Sequence, residues 1–69
     1  MSNYSQDDIF FMQKAYEQAL LAYRAGEVPI GAVLVKDGQI VAQDFNKTIM
    51  LNDPTAHAEI LVLRETAKE

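Results

Sequence analysis

The chain has 69 residues and a formal net charge of −4; 49% of its residues are hydrophobic and 23% are charged. This composition is typical of one small globular domain and argues against disorder. No cysteine, secretory signal or long apolar run is present, so the sequence predicts a cytoplasmic protein without disulfides or membrane contact. The six scattered basic residues argue against tight, non-specific binding of nucleic acid, although not against recognition of one exposed base.

An amphipathic helix is predicted over residues 6 to 25. Ser5 can cap it, and Asp7 and Asp8 fall in the first turn, where the helix dipole favours negative charge. Gly26 stands where a left-handed residue ends many helices. Apolar residues at helical spacing predict its buried stripe, which comprises Met12, Ala15, Tyr16, Ala19, Leu20 and Tyr23.

Two strands are predicted next, over residues 30 to 36 and 39 to 45, joined by Asp37-Gly38. Asp-Gly between two runs of strand formers indicates a hairpin with a type I′ turn. The first strand, IGAVLVK, is apolar on both faces, which indicates a sheet covered by a helix on each side, as in layered α/β proteins.

After a connection over residues 46 to 52, Asp53-Pro54 predicts the start of a second helix. Asp53 or Thr55 would be its cap, and proline is favoured in the first turn. The predicted order of elements is therefore α-β-β-α. No glycine or proline stop follows in the final ETAKE, so we expect the domain to continue beyond this sequence.

The short stretch DPTAHAEI sets the only histidine of the chain, His57, two residues before Glu59. In mid-helix these two side chains would point apart, since 3.6 residues make a turn. Side chains in a first turn can instead reach past the helix end, where free N–H groups and the dipole favour a carboxylate or an electron-rich substrate atom. A surface or capping role for the histidine, and a dipole role for the glutamate, are the alternatives.

DPTAHAE, preceded by EVPIGAVLVKDG over residues 27 to 38 and by Asn46 after the second strand, resembles the cytidine deaminase-like superfamily. Its bacterial tRNA adenosine deaminase branch is the most similar, and the resemblance runs from about residue 10 to residue 68. It implies a three-layer α/β/α sandwich around a mixed sheet, of which this chain supplies α-β-β-α. It also implies a catalytic zinc ion and, commonly, a homodimer.

The resemblance assigns roles to individual residues. His57 matches the single histidine ligand of zinc, and Glu59 matches the general acid/base, which is not a ligand. Asn46 matches a pocket asparagine that binds the nucleoside, and the backbone N–H of Ala58 matches a donor to the base. Three consecutive residues match the segment that lines the opposite wall of the family's pocket: Glu27, Val28 and Pro29.

One part of the family pattern is missing. The family takes two further zinc ligands from a P-C-x-x-C segment, and this chain has no cysteine. A catalytic zinc requires three protein ligands and an open position. The 69 residues are therefore interpreted as the N-terminal part of a deaminase domain, inactive alone; a short non-catalytic paralogue is the alternative. Two strands leave an open sheet edge, so we expect the isolated chain to associate or to be poorly stable.

Three functions follow from these observations. The first is zinc-dependent hydrolytic deamination in the intact protein, with adenosine in a tRNA anticodon loop as the preferred substrate. The second is the same chemistry on a small nucleobase, guanine or cytosine, which the acidic charge favours. The third is a structural or interaction module derived from a deaminase, which the incomplete zinc site favours.

Overall fold

A computed structural model describes residues 6–67 and has the predicted order of elements. Helix α1 spans Gln6–Arg24, strand β1 Gly31–Lys36, strand β2 Gln39–Phe45 and helix α2 Ala58–Ala67. Both strands and α1 agree with the sequence prediction to within one residue. Ser5, the predicted cap of α1, lies outside the described residues.

The strands β1 and β2 form an antiparallel hairpin, as predicted. Its turn residues Asp37 and Gly38 have φ angles of 53° and 76°, the positive values that a type I′ turn requires. Pairing is regular up to Leu34↔Ala42 and continues with Val35↔Ile40, so one residue of β2 between them is a bulge. The sequence of β2 does not predict this bulge.

Helix α1 ends in a Schellman motif. Gly26 has φ 76° and donates its N–H to the carbonyl of Tyr23 at 3.1 Å, and Glu27 donates its N–H to the carbonyl of Ala22 at 2.9 Å. These two bonds are the 5→2 and 6→1 pairs of the motif, which satisfy the last helix carbonyls. The expectation that Gly26 ends the helix is confirmed, and the backbone of Glu27 is fixed to the helix end.

The predicted buried stripe of α1 is wrong for its large side chains. Ala22 is the buried residue of this helix, and Ala15 and Ala19 are half-buried. The large members of the stripe are exposed by 36 to 69%: Met12, Tyr16, Leu20 and Tyr23. Helical periodicity located the apolar side of α1 but could not show which part of that side touches the sheet.

The contact between α1 and β1 explains this difference. A Cβ added at Gly31 would lie 2.2 Å from the carbonyl oxygen of Ala15 and 2.6 Å from the nitrogen of Ala19. The strand therefore packs against the backbone of the helix, and only small residues fit at the crossing. Larger apolar side chains of α1 lie beside this crossing, where they border a shallow groove of about 410 Å³.

Each helix contacts both strands, and among the described residues the two helices do not contact each other. They therefore cover opposite faces of the hairpin, which confirms the layered arrangement. Apart from Ala22 on α1, the buried apolar residues lie on β2, on α2 and just before α2, and they are Ala42, Ala56, Ala58, Leu61 and Val62. Neither helix of residues 6–67 has the length and apolar character of a membrane span.

The predicted start of α2 at Asp53-Pro54 is wrong, because the helix begins at Ala58. The side chain of Asp53 accepts hydrogen bonds from the N–H of Thr55 at 2.9 Å and from its hydroxyl at 2.7 Å. Its carbonyl accepts the N–H of Ala56 at 3.0 Å. The Asp-Pro-Thr signal therefore marks an Asx turn just before the helix, and the same residue types serve both structures.

Candidate functional site

His57 is the residue from which α2 starts. Its carbonyl accepts the N–H groups of Ile60 and Leu61, both at 3.0 Å, so His57 occupies the N-cap position. Glu59 follows in the first turn, where the helix dipole stabilises a carboxylate. The predicted placement of both residues at a helix start is confirmed, although the turn before them is longer than expected.

The side chains around this helix start alternate between core and surface. Ala56 and Ala58 are fully buried, with 0% exposure, whereas His57 and Glu59 are exposed. The two alanines anchor the segment in the core between α2 and the sheet. The imidazole of His57 and the carboxylate of Glu59 are therefore accessible to solvent at a helix start whose alanines are buried.

Asn46 joins the end of β2 to the start of α2. It is 2% exposed, and its Oδ1 accepts the backbone N–H of Ala58 at 3.1 Å. Its own N–H donates to the carbonyl of Ile30 at 3.0 Å. Asn46 therefore satisfies one of the free N–H groups of α2 and ties that helix to the beginning of β1. In this structure the N–H of Ala58 is directed to Asn46.

The loop between β2 and α2 is closed at its base next to His57. Lys47 donates its N–H to the carbonyl of Ala56 at 2.9 Å, and Asp53 donates its N–H to the carbonyl of Thr48 at 3.0 Å. Residues 46–47 and 56–58 therefore lie side by side. We call residues 47–52 the site loop, since it begins at Lys47, which is hydrogen-bonded to Ala56 just before His57.

Glu27 holds the site loop from the end of α1. Its carboxylate accepts the N–H of Met50 at 2.6 Å, the N–H of Ile49 at 3.1 Å and the hydroxyl of Thr48 at 3.3 Å. The residue is 5% exposed. Burial raises the pKa of Glu27, but the hydrogen bonds from Ile49, Met50 and Thr48 outweigh it and hold the pKa below its ordinary value.

Val28 and Pro29 continue from Glu27 to β1. Val28 is 54% exposed, and its carbonyl accepts the N–H of Ile30 at 2.8 Å in a tight turn around Pro29. Pro29 borders the shallow groove beside α1, which includes none of the residues His57, Glu59 and Asn46. The structure thus brings Asn46, His57, Ala58 and Glu59 together, joins Glu27 to them through the site loop, and leaves Val28 and Pro29 at an exposed turn.

Two polar clusters next to the site were not predicted from the sequence. Arg64 on α2 donates to the hydroxyl of Thr55 at 2.9 Å and pairs with Asp53 at 3.6 Å, so it fixes the turn before His57. Hydrogen bonds from the Thr55 hydroxyl and N–H, with help from Arg64, keep the pKa of Asp53 below its ordinary value. The i to i+9 spacing of Thr55 and Arg64 becomes a recognisable contact only once the true helix start is known.

The second cluster lies at the end of β2. Asp44 is 7% exposed and pairs with Lys47 at 2.7 Å, and the ammonium of Lys47 lies 4.7 Å from the ring centre of Phe45. Burial raises the pKa of Asp44, but hydrogen bonds with Lys47, Glu65 and the N–H of Phe45 outweigh it and lower the pKa. This cluster fixes the first residue of the site loop against the sheet.

The described residues do not by themselves form a complete zinc site. Among residues 6–67 no three side chains of His, Cys, Asp or Glu lie close enough together to hold a metal ion. His57 is the only imidazole of the chain, and the sequence has no cysteine. A catalytic zinc uses three protein ligands, and the described residues bring no such set together.

A family model of the cytidine and deoxycytidylate deaminase zinc-binding region matches residues 5–69. The chain belongs to this family. The match includes the helix start with His57 and Glu59, the hairpin and α1, so it covers the whole fold described above. The family and the cytidine deaminase-like α/β fold that the DPTAHAE motif predicts are thereby confirmed.

Three relatives illustrate this deaminase family. The tRNA-specific adenosine deaminase of Agrobacterium fabrum is 56% identical over 54 residues, which are 78% of this chain. A solved structure from a study of A-to-I editing by tRNA:A34 deaminases is 54% identical over 81% of the chain, with a TM-score of 0.79. The Bacillus subtilis guanine deaminase structure is 39% identical over 99% of the chain, with a TM-score of 0.81.

This chain spans only part of each of these proteins. It covers 36% of the Agrobacterium fabrum enzyme, 43% of the tRNA:A34 deaminase chain and 41% of the guanine deaminase chain. The greater part of each relative therefore has no counterpart in these 69 residues.

Proposed function

We propose that this chain is the N-terminal part of a zinc-dependent hydrolytic deaminase that converts adenosine to inosine in a tRNA anticodon loop. One observation carries the proposal: Asn46 and the segment His57-Ala58-Glu59 meet at the first turn of α2. The similarity to enzymes named tRNA-specific adenosine deaminase supports the choice of substrate. Bases in RNA loops are unstacked and can turn out into a pocket.

Glu59 would be the proton carrier of this site. Its carboxylate is exposed in the first turn of α2, so it could accept a proton from water and return it to the base and the leaving amine. His57, beside it at the N-cap, would contribute one zinc ligand. The other ligands would come from a P-C-x-x-C segment outside these 69 residues. Zinc in such enzymes supplies a water of lowered pKa.

The remaining predicted residues would form the recess for the base. Asn46 and Ala58 would form its floor, because they connect the end of β2 to the helix start. Val28 and Pro29 would lie at the entrance, where their turn is exposed. Glu27 would contribute to the wall of the recess indirectly, by holding the site loop. We further propose that the intact protein is a cytoplasmic homodimer, as the resemblance implies.

A small nucleobase is the second candidate substrate. The guanine deaminase of Bacillus subtilis has the same α-β-β-α arrangement along 99% of this chain. The chain is acidic, with a net charge of −4, and a free base does not require the positive surface that a polynucleotide does. Cytosine or its nucleoside would require the same attack at a ring carbon bearing an amine.

The test uses the protein encoded by the complete reading frame that contains these 69 residues. Purified protein is assayed for release of ammonia from a tRNA anticodon stem-loop, guanine and cytosine, and its zinc content is measured. We expect about one zinc per chain and activity on the stem-loop. Activity on guanine or cytosine alone would replace the substrate. A reading frame without a P-C-x-x-C segment would instead favour the non-catalytic module.

Variants in the same protein separate the two roles. Glu59→Ala should abolish turnover and leave zinc bound, whereas His57→Ala should lose both. Glu17→Ala, an exposed carboxylate on α1, is the matched control and should change neither. Equal loss of zinc in the Glu59 and His57 variants would contradict the assignment of the proton-transfer role to Glu59.

A further inference from the structure

The residue that follows the helix-ending glycine is unusual in this chain. In a Schellman motif the position after the left-handed residue commonly carries an apolar side chain that packs back on the helix. Here that position is Glu27, a carboxylate that is 5% exposed. A charged group at a buried position costs free energy unless it is fully hydrogen-bonded. The presence of Glu27 here therefore indicates hydrogen-bond donors that an apolar side chain could not accept from.

The partner is the site loop. Glu27 accepts two consecutive backbone N–H groups, those of Ile49 and Met50, and the hydroxyl of Thr48. Turn bonds within the loop, from Leu51 N–H to the Lys47 carbonyl at 2.9 Å, use other groups. The carboxylate is therefore the acceptor for donors that the loop itself leaves free.

Two features of the site loop are relevant to the candidate site: its exposed apolar side chains and its position beside the segment before His57. Its side chains Ile49, Met50 and Leu51 are exposed by 69, 54 and 53%, which is unusual for three consecutive large apolar residues. Its base is held against Ala56 and Asn46, directly beside the segment of His57 and Glu59. The site loop therefore combines a backbone that is hydrogen-bonded to Glu27 with three exposed apolar side chains, close in sequence to the candidate site.

We propose that Glu27 is a positioning residue of the deaminase site: its carboxylate fixes the backbone of the site loop and thereby sets the wall against which the target base lies. This inference rests on the proposed function. Glu27 does not contact the base; Ile49, Met50 and Leu51 provide the apolar contact, and Glu27 keeps their backbone in place. We call the contact of the Glu27 carboxylate with the site loop the clamp. The Schellman motif fixes the position of Glu27 itself, because its backbone N–H is hydrogen-bonded to the carbonyl of Ala22.

The first test measures the loop itself by amide hydrogen exchange, read by NMR on the complete protein that contains these 69 residues. In Glu27→Gln, which keeps the shape but removes the charge, the amides of Ile49 and Met50 should exchange at least about tenfold faster than in the parent. The N–H of Gly26, in the Schellman motif, should be unaffected. Glu17→Gln makes the same chemical change at an exposed position and should alter no loop amide. Unchanged exchange of Ile49 and Met50 would overturn the proposal.

A second measurement does not depend on a variant that folds. In the complete, unsubstituted protein, the ¹³Cδ resonance of Glu27 and the amide protons of Ile49 and Met50 should titrate together, because one carboxylate accepts both N–H groups. The common midpoint should lie below the ordinary value of 4.5 for a glutamate. Amide protons of Ile49 and Met50 that do not follow the Glu27 carboxyl would contradict the clamp.

The third test separates positioning from catalysis in the complete deaminase. Glu27→Gln should raise KM by about tenfold and change kcat by less than about threefold, because the proton carrier is untouched. Glu27→Asp, which keeps the charge, should recover part of the loss. A loss of kcat equal to that of Glu59→Gln would assign Glu27 to the reaction itself and overturn the positioning role. If the unsubstituted enzyme deaminates no substrate, the proposed function fails, while the exchange experiment still decides the clamp.

Discussion

Replacement of Gly31 by alanine is the sharpest test of how α1 and the hairpin fit together. An added Cβ would lie 2.2 Å from the carbonyl oxygen of Ala15, 2.6 Å from the nitrogen of Ala19 and 2.6 Å from the Cβ of Gln18. Carbon atoms in contact are normally about 3.5–4.0 Å apart. Two of the three neighbours are backbone atoms, so no side-chain rotation can relieve the clash, and α1 and β1 have to move apart.

The magnitude follows from two opposing effects. Insertion of a methyl group into a packed contact costs about 1–3 kcal/mol, and displacement of a helix backbone places this case near the upper end. Alanine also restricts the unfolded chain, which offsets about 0.4–1 kcal/mol. We therefore expect a net loss of about 2 kcal/mol. In a domain of this size that corresponds to a fall in Tm of roughly 8–16 °C.

Thermal unfolding followed by circular dichroism, at one fixed protein concentration, measures this loss. Gly38→Asn is the matched control, because Gly38 has φ 76° and open space around its Cβ position, and asparagine tolerates positive φ. Its cost should stay below about 1 kcal/mol. A Gly31→Ala chain that melts within about 3 °C of the parent would show that α1 does not rest on β1 as described.

Gly31→Ala should also change the structure at the candidate site. The carbonyl of Ile30, next to Gly31, accepts the N–H of Asn46, whose side chain holds the N–H of Ala58. A displacement of β1 therefore reaches the start of α2 through two hydrogen bonds. The amide resonance of Ala58 should shift in Gly31→Ala and remain in place in Gly38→Asn. Absence of that shift would show that the strand and the helix start are not coupled.

Three further predictions concern the stability of the chain. Leu61→Ala, on the buried side of α2, should cost about 2–4 kcal/mol in urea denaturation, whereas Leu63→Ala, 56% exposed on the same helix, should cost under about 0.5 kcal/mol. Asn46→Ala removes the acceptor for the first amide of α2 and should cost about 1–3 kcal/mol; Asn46→Asp, which keeps an acceptor, should cost less. Three carboxyls have pKa values lowered in the folded chain: Glu27, Asp44 and Asp53. Their contribution is present at neutral pH and is lost as the pH falls through the lowered values, so Tm should hold down to about pH 5 and fall below about pH 4; a Tm that rises on acidification would contradict these shifts.

The hairpin could be predicted in detail because its signals are local. Asp37-Gly38 supplies the two positive φ angles of a type I′ turn, and the flanking runs supply the strand formers. Gly26 could be predicted to end α1 for the same reason. In each case the conformation depends on a few consecutive residues, so neither the other elements nor the core are needed to decide it.

The start of α2 and the buried face of α1 could not be predicted in this way. Asp53, Pro54 and Thr55 favour an Asx turn as much as a helix cap, and the choice depends on Lys47, whose N–H holds the carbonyl of Ala56 outside the helix. The face of α1 depends on the close approach at Gly31, a contact between distant parts of the chain. Tertiary contacts decided both.

The candidate site likewise has a part that local sequence predicts and a part that depends on tertiary contacts. The placement of His57 and Glu59 at one helix end could be predicted, because a cap position and a first turn bring two residues that are two apart in sequence to the same end of a helix. The contacts of Glu27 with the site loop could not be predicted, because its donors Ile49 and Met50 lie 22 and 23 residues later in the sequence, after the hairpin. Their one local sign is a charge where a Schellman motif usually has an apolar residue. A charge that replaces an apolar residue at a buried position indicates a distant hydrogen-bond partner, and in this chain the partner is the site loop.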